Sequence, residues 1–286
     1  MIGLLPVDKP EGPTSHDIVA RARRATGVRR IGHTGTLDPF ASGLLLLCIG
    51  PATRLAEYLH PLPKTYVGVA RLGQATDTDD RTGDVVGRSE AWRELDETAV
   101  RAAFTDQQGE RMQVPPAYSA KKVDGQRLYR RARRGETVVA EAAPVEIHRL
   151  VVRRLALPDV EFEVECSTGT YIRAIARDAG AQLGVGAHLT ELRRTRIGPF
   201  DAASALDPER LDREHVLQAL VPPLAALAHV PRVDVDGDDA RRIRNGGTVA
   251  RPGVLGLLVV AHAGALVAVA EGDGQRVHPR KVFHDA

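Results

Sequence analysis

Cysteine is almost missing from this chain, with two residues, Cys48 and Cys166, in 286. Each sits in an apolar or strand-like stretch with no second cysteine or histidine at ligand spacing, which excludes a disulfide framework and a structural zinc site. Aromatic residues are scarce as well, with five Tyr, five Phe and one Trp. No apolar run approaches the roughly 18 residues needed to cross a bilayer, and no charged segment leads into an apolar one at the start. The chain is therefore expected to be cytoplasmic, without a membrane partner. Phosphate-binding patterns of the G-x-x-x-x-G-K-[ST] and strand-led G-x-G-x-x-G kinds are absent, as is a G-x-S-x-G elbow. The acidic turn Asp77-Thr78-Asp79-Asp80-Arg81-Thr82-Gly83 fails as a calcium loop, because its glycine falls at the seventh position and Arg88 stands at the twelfth. Neither a metal nor a nucleotide cofactor is expected.

What is present is polarised charge. The net charge of +2 conceals clusters: Lys121, Lys122, Arg127, Arg130, Arg131, Arg133 and Arg134 stand against Asp124 alone, and Arg21, Arg23, Arg24, Arg29 and Arg30 form a second group. Residues 76–99 are acidic. Such a distribution suits a polyanionic partner on one face.

Hydrophobic periodicity predicts a strand over 1–8, a helix capped by Ser15 and stopped by Gly27, and a buried strand in the apolar run 44–49. Further strands are expected at 65–72, 145–157, 160–166 and 187–197, with a helix capped by Asp96. Thr170 is expected to cap a helix whose inward stripe is Ile172, Ile175, Ala176, Ala179 and Leu183, leaving Arg173 and Arg177 on another face. Strands and helices do not alternate cleanly, so the reading is α+β: a large mixed, mainly antiparallel sheet with flanking helices. A proline-bearing connector over 205–232 precedes a small β-rich unit. The expected division is a domain over 1–228, with a basic insertion at about 114–140, and a second over 229–286.

The richest stretch is Gly32-His33-Thr34-Gly35-Thr36-Leu37-Asp38-Pro39-Phe40-Ala41-Ser42-Gly43. It surrounds one carboxylate with glycines, hydroxyls and an imidazole, and Pro39 biases Asp38 toward extended backbone. Asp-Pro is by itself an ordinary turn starter, but a turn aspartate needs none of this company, whereas a nucleophilic or general-base carboxylate does. Arg173 lies in a helical first turn, where the macrodipole disfavours a cation, which points to some other partner that justifies it.

These residues resemble the signature of the TruB family of tRNA pseudouridine synthases. Further blocks match in order: Asp8-Lys9-Pro10 with Thr14-Ser15, Lys64-Thr65-Tyr66, Pro115-Pro116-x-Tyr118-Ser119-Ala120-x-Lys122-x-x-Gly125, Gly169-Thr170-Tyr171-Ile172-Arg173, and Leu192-Arg193-Arg194-Thr195. Together they extend over most of residues 1–200. Phe40 and Ser42 stand where Leu and Thr are common, and neither can serve as the nucleophile. The resemblance implies the pseudouridine synthase fold and isomerisation of the uridine at position 55 in the T loop of tRNA. It implies Asp38 as nucleophile, Arg173 as its partner, and His33, Tyr66, Tyr171 and Leu192 contacting the target nucleotide and its surroundings. Lys9 and Lys64 are added as substrate contacts. The implied partner is the T arm of tRNA, with no obligate protein partner and no cofactor. The final residues resemble a reduced PUA-type RNA-binding module, through Ala240-x-x-Ile243-x-Asn245-Gly246.

The chemistry agrees with this assignment. Detaching uracil at N1 and rejoining it through C5 consumes no redox or group-transfer cofactor. A base inside a folded loop must be flipped out, and an aromatic face such as Tyr66 replaces lost stacking worth about 1–3 kcal/mol. Plainer readings stand beside each residue: Tyr66 and Leu192 as core, His33 as a loop histidine, Lys9 as a loop stabiliser, Lys64 in solvent. Alternatives for the whole chain are a pseudouridine synthase acting on another RNA, a non-catalytic tRNA-binding or folding module, and a nucleoside hydrolase.

Overall fold

The computed structural model of the chain describes residues 1–118, 122–123, 126–127 and 141–284. The basic cluster from Lys121 to Arg134, and with it most of the expected insertion, lies outside the described residues. Only the backbone pairing of Lys122–Val123 with Gln126–Arg127 is described there.

The apolar run after the Asp38 loop forms the strand Ser42–Ile49, in which every residue after Ser42 is buried. Alternate side chains explain why. Leu45, Leu47 and Ile49 pack with Leu5, Val7 and Ile18 beneath the helix Ser15–Thr26. Leu44, Leu46 and Cys48 join the opposite cluster with Leu4, Leu55 and Leu227. A strand covered on both faces can be apolar throughout. It belongs to a nine-stranded sheet whose main path runs Gly3–Lys9, Ser42–Ile49, Ala187–Ile197, Lys64–Leu72, Asp159–Cys166, Ala143–Ala156, Gly109–Gln113. All neighbours on this path are antiparallel except Ser42–Ile49 with Ala187–Ile197. The helices Glu97–Thr105 and Ile172–Gln182 cover the other half of the sheet through Phe104, Ile175 and Ala179 against Phe162 and Leu189. The expected mixed, mainly antiparallel α+β architecture is the one observed.

At the parallel junction Gly43 pairs with Arg194. Gly43 has φ +102°, and a Cβ there would lie 2.2 Å from the Arg194 carbonyl oxygen. Gly43→Ala combines a left-handed conformation with overpacking, so we expect a loss of about 1–3 kcal/mol or more in unfolding free energy. Urea denaturation checks this, and an unchanged midpoint would show that the two strands can part without penalty.

Two helix starts differ from expectation. Thr14, not Ser15, caps the first helix, in a reciprocal box with Asp17, which frees the Ser15 hydroxyl. Thr170 does not cap Ile172–Gln182. The Tyr171 N–H instead donates to Gln113 Oε1 at 2.8 Å, and Gln113 Nε2 donates to the Tyr171 carbonyl at 3.1 Å. A buried side-chain amide satisfies both backbone groups from a neighbouring strand.

Beyond the helices Arg213–Ala219 and Pro223–Ala226, a five-stranded sheet runs Arg232–Asp234, Leu255–His262, Ala265–Asp273, Arg276–Val282, Val249–Ala250, with the helix Gly237–Arg244 against it. Its Val259, Leu266 and Val269, with Phe283 just beyond the last strand, enter the same apolar cluster as Leu4, Leu44 and Leu46. Among the described residues no helix is long and apolar enough to cross a membrane.

Candidate active site

The short strand Ile31–His33 pairs with Ser42–Ile49, so residues 34–41 form a loop closed at both ends by one ladder. Thr34 N–H donates to the Leu46 carbonyl at 3.1 Å, and Ala41 N–H closes a turn onto the Asp38 carbonyl at 3.1 Å. Leu37 is inserted as an apolar peg, 3% exposed. The freed Ser15 hydroxyl holds it, accepting from Leu37 N–H at 2.9 Å and donating to the Leu37 carbonyl at 3.1 Å. Asp38 is thus fixed through the main chain, which leaves its carboxylate for other work.

That carboxylate meets Arg173, with Nε 3.0 Å from Asp38 Oδ2. The guanidinium is 5% exposed, and it donates to Asp80 Oδ2 at 3.1 Å, to the Thr78 carbonyl at 2.8 Å and to the Tyr118 carbonyl at 3.0 Å. Asp80 is held in turn by Thr78 Oγ1 at 2.9 Å and by Thr82 N–H at 2.9 Å. The partner that sequence position demanded for Arg173 is therefore two carboxylates, and the acidic turn that fails as a calcium loop supplies one of them. Burial pushes the Asp38 carboxyl up from the ordinary aspartate range, Arg173 pulls it back down, Asp80 pushes it up, and Lys9 pulls it down. About 37% of the Asp38 side chain remains open.

It opens into a cleft of about 280 Å³ lined by the loop residues 34–38, the turn 167–173, Tyr66, Leu192, Lys64 and Arg194. One volume thus holds Asp38, Arg173, Tyr66, Tyr171, Leu192 and Lys64. Tyr66 and Leu192 are nearly buried, at 9% and 7% exposure. Lys64 donates to the His60 and Leu62 carbonyls at 2.5 and 2.7 Å, and burial lowers its amine to about 8.

His33 and Lys9 do not line this cleft. His33 Nδ1 is buried without a partner among the described residues, and burial, then Arg194, then His16 lower its pKa. Lys9, the other expected substrate contact, stands apart from the cleft. It is fully buried, its amine donating to the carbonyls of Pro10, Pro13 and Pro39 at 2.8, 2.9 and 3.4 Å, and burial lowers it to about 8. It braces the loop. Sequence reasoning missed Asp80, Ser15 and Arg194. Missed too are His60 and Thr168 at the cleft wall, with Nδ1 3.2 Å from Oγ1. Arg194 reaches the carbonyls of Leu44, Gly35 and Thr36.

A carboxylate and a guanidinium are thus paired at the wall of a cleft that also holds Tyr66 and Tyr171. Among solved structures, the chain is similar to one described as an H/ACA RNP bound to a substrate RNA containing 2'-deoxyuridine, at TM-score 0.74 and 26% identity over 99% of this chain and 85% of that one. It is likewise similar to a Cbf5-Nop10-Gar1 complex, at TM-score 0.74 and 28% identity, with the same coverage. The family model described as TruB family pseudouridylate synthase (N terminal domain) matches residues 23–172, and that of the tRNA pseudouridylate synthase B C-terminal domain matches 173–227. Curated relatives include tRNA pseudouridine synthase B of Thermobifida fusca, 46% identical over 98% of both chains, and that of Geobacter sulfurreducens, 44% identical over 86% of this chain and 82% of the relative. The chain belongs to the TruB family of pseudouridine synthases.

Proposed function

We propose that this enzyme isomerises the uridine at position 55 in the T loop of tRNA, in the cytoplasm, with Asp38 as nucleophile on a flipped-out base. The observation that carries the reading is the Asp38–Arg173 pair at 3.0 Å inside a cleft faced by Tyr66. The curated relatives named for tRNA support the choice of substrate. Tyr66 stacks on the extruded uracil, Leu192 and Tyr171 bound its other sides, Lys64 contributes positive charge at the wall, and His33 meets RNA outside the cleft. Arg173 keeps Asp38 anionic and aimed. The β-rich unit after residue 229 and the basic insertion extend the contact with the T arm.

The test is release of tritium from tRNA labelled at C5 of uridine. Stoichiometric release that disappears when U55 is replaced by cytidine is expected. Release that persists with that substitution, or that requires an added guide RNA, would overturn the assignment.

A further inference from the structure

Arg194 is the largest fully buried side chain among the described residues, at 1% exposure. It carries a permanent charge, yet among the described residues its hydrogen-bond partners are main-chain carbonyls and no carboxylate pairs with it. Taking a guanidinium out of water without a counter-ion is expensive, and an apolar side chain of similar volume would fill the core as well. Its presence is explained by what it holds.

The three carbonyls are informative. Nε donates to Leu44 at 2.7 Å, on the strand leaving the Asp38 loop; NH2 donates to Gly35 at 3.1 Å and NH1 to Thr36 at 3.4 Å, on the limb entering it. One rigid fork spans both limbs, with Asp38 between them. The backbone of Arg194 pairs with Gly43 on one side and Tyr66 on the other, and its guanidinium lies 6.0 Å from the Tyr66 ring centre. The same group therefore touches the mounting of the carboxylate and the aromatic face that confronts it. Five donors in a fixed plane can do this, whereas the single ammonium of a lysine cannot.

We infer that Arg194 is a positioning residue for the isomerisation, fixing the placement of Asp38 against Tyr66 by tying together the two limbs of the loop. The inference rests on Asp38 as the acting carboxylate. Its hold on Asp38 runs through these main-chain contacts on both limbs of the loop.

Arg194→Lys and Arg194→Met test it on full-length enzyme and tRNA, with kcat, KM, the pH profile of kcat and peptide-resolved hydrogen exchange. Arg194→Lys should lower kcat about 100-fold, the effect of a misplacement near 1 Å. KM should stay within about threefold, because ground-state binding is not what is lost. The acid limb should not move, and exchange should rise only within residues 34–41. Arg194→Met should show the same pattern with a larger kcat loss. Parental kcat in both variants, a loss confined to KM, a shifted acid limb, or exchange rising throughout the sheet in step with lost activity would each overturn the inference. If Asp38→Asn kept parental turnover, the reading of Asp38 would fall first, while exchange in 34–41 would still report whether Arg194 holds the loop.

Discussion

Asp38→Asn should fold as the parent does and lose on the order of 10⁴-fold or more in kcat, the scale of removing a group around which the other catalytic residues act as a unit. The fold survives because the loop is secured by its main chain. Ser15 holds Leu37, Lys9 holds Pro39, and Arg194 holds Gly35 and Thr36. Among the described residues the carboxylate itself makes one ion pair, to Arg173, and Arg173 keeps Asp80 as its counter-ion after the exchange. An asparagine fits the same space but carries no charge to donate to a sugar or uracil carbon. Tritium release from C5-labelled tRNA measures the loss, and filter binding should show tRNA affinity near that of the parent. Near-parental turnover would remove Asp38 from the chemistry.

How far the site could be read from sequence follows from how far apart its parts lie. Asp38 stood out because its support is local: glycines, Pro39 and hydroxyls crowd within twelve positions, and the strand behind it is a plain apolar run. Arg173 gives a second signal, a cation at the wrong end of a helix, which calls for a partner without saying which. Asp80 could not be chosen as that partner. It is 93 positions from Arg173, and its acidic neighbours resemble a solvated turn until the sheet brings the turn against the helix. The role of Arg194 is hidden for a related reason, although the residue stands in the block Leu192-Arg193-Arg194-Thr195. Alternation on the Ala187–Ile197 strand gives no sign of which arginine points inward, and burial of Arg194 depends on three carbonyls contributed by residues 35, 36 and 44. The setting of Lys9 is tertiary as well. Its motif neighbours suggested contact with substrate, yet the kinked Pro10–Pro13 backbone turns carbonyls inward, and a buried amine satisfies them. Local patterns identify groups that carry chemistry, while the groups that aim them are set by tertiary pairing.

Arg173→Met should cost about 10²–10³-fold in kcat, comparable to removing one preorganised donor from a developing charge, and should do so with a shifted pH dependence. In the parent, burial already raises the Asp38 carboxyl and Arg173 is the main opposing influence. Without the cation, burial and the nearby Asp80 act unopposed except by Lys9, so the Asp38 pKa climbs further. The nucleophile must be ionised. The acid limb of the kcat profile therefore moves to higher pH, and part of the lost activity returns as the pH is raised. Stability moves the other way. A carboxyl whose folded-state pKa exceeds its unfolded value binds its proton more tightly when folded, so unfolding free energy falls as pH rises through that interval. The variant, with Asp80 left as an uncompensated buried carboxylate and the partly open Asp38 deprived of its cation, should lose about 3–5 kcal/mol at neutral pH and recover the Asp38 part of it as pH is lowered. The Thr78 and Tyr118 carbonyls also lose their donor, a loss that no pH change restores. Arg173→Lys, which keeps the charge but not the four-way fork, should hold the acid limb near its parental position while kcat still drops. Measured profiles of kcat and unfolding free energy for the two variants separate the roles. If Arg173→Met lowers kcat with an unmoved acid limb, Arg173 orients Asp38 without controlling its ionisation.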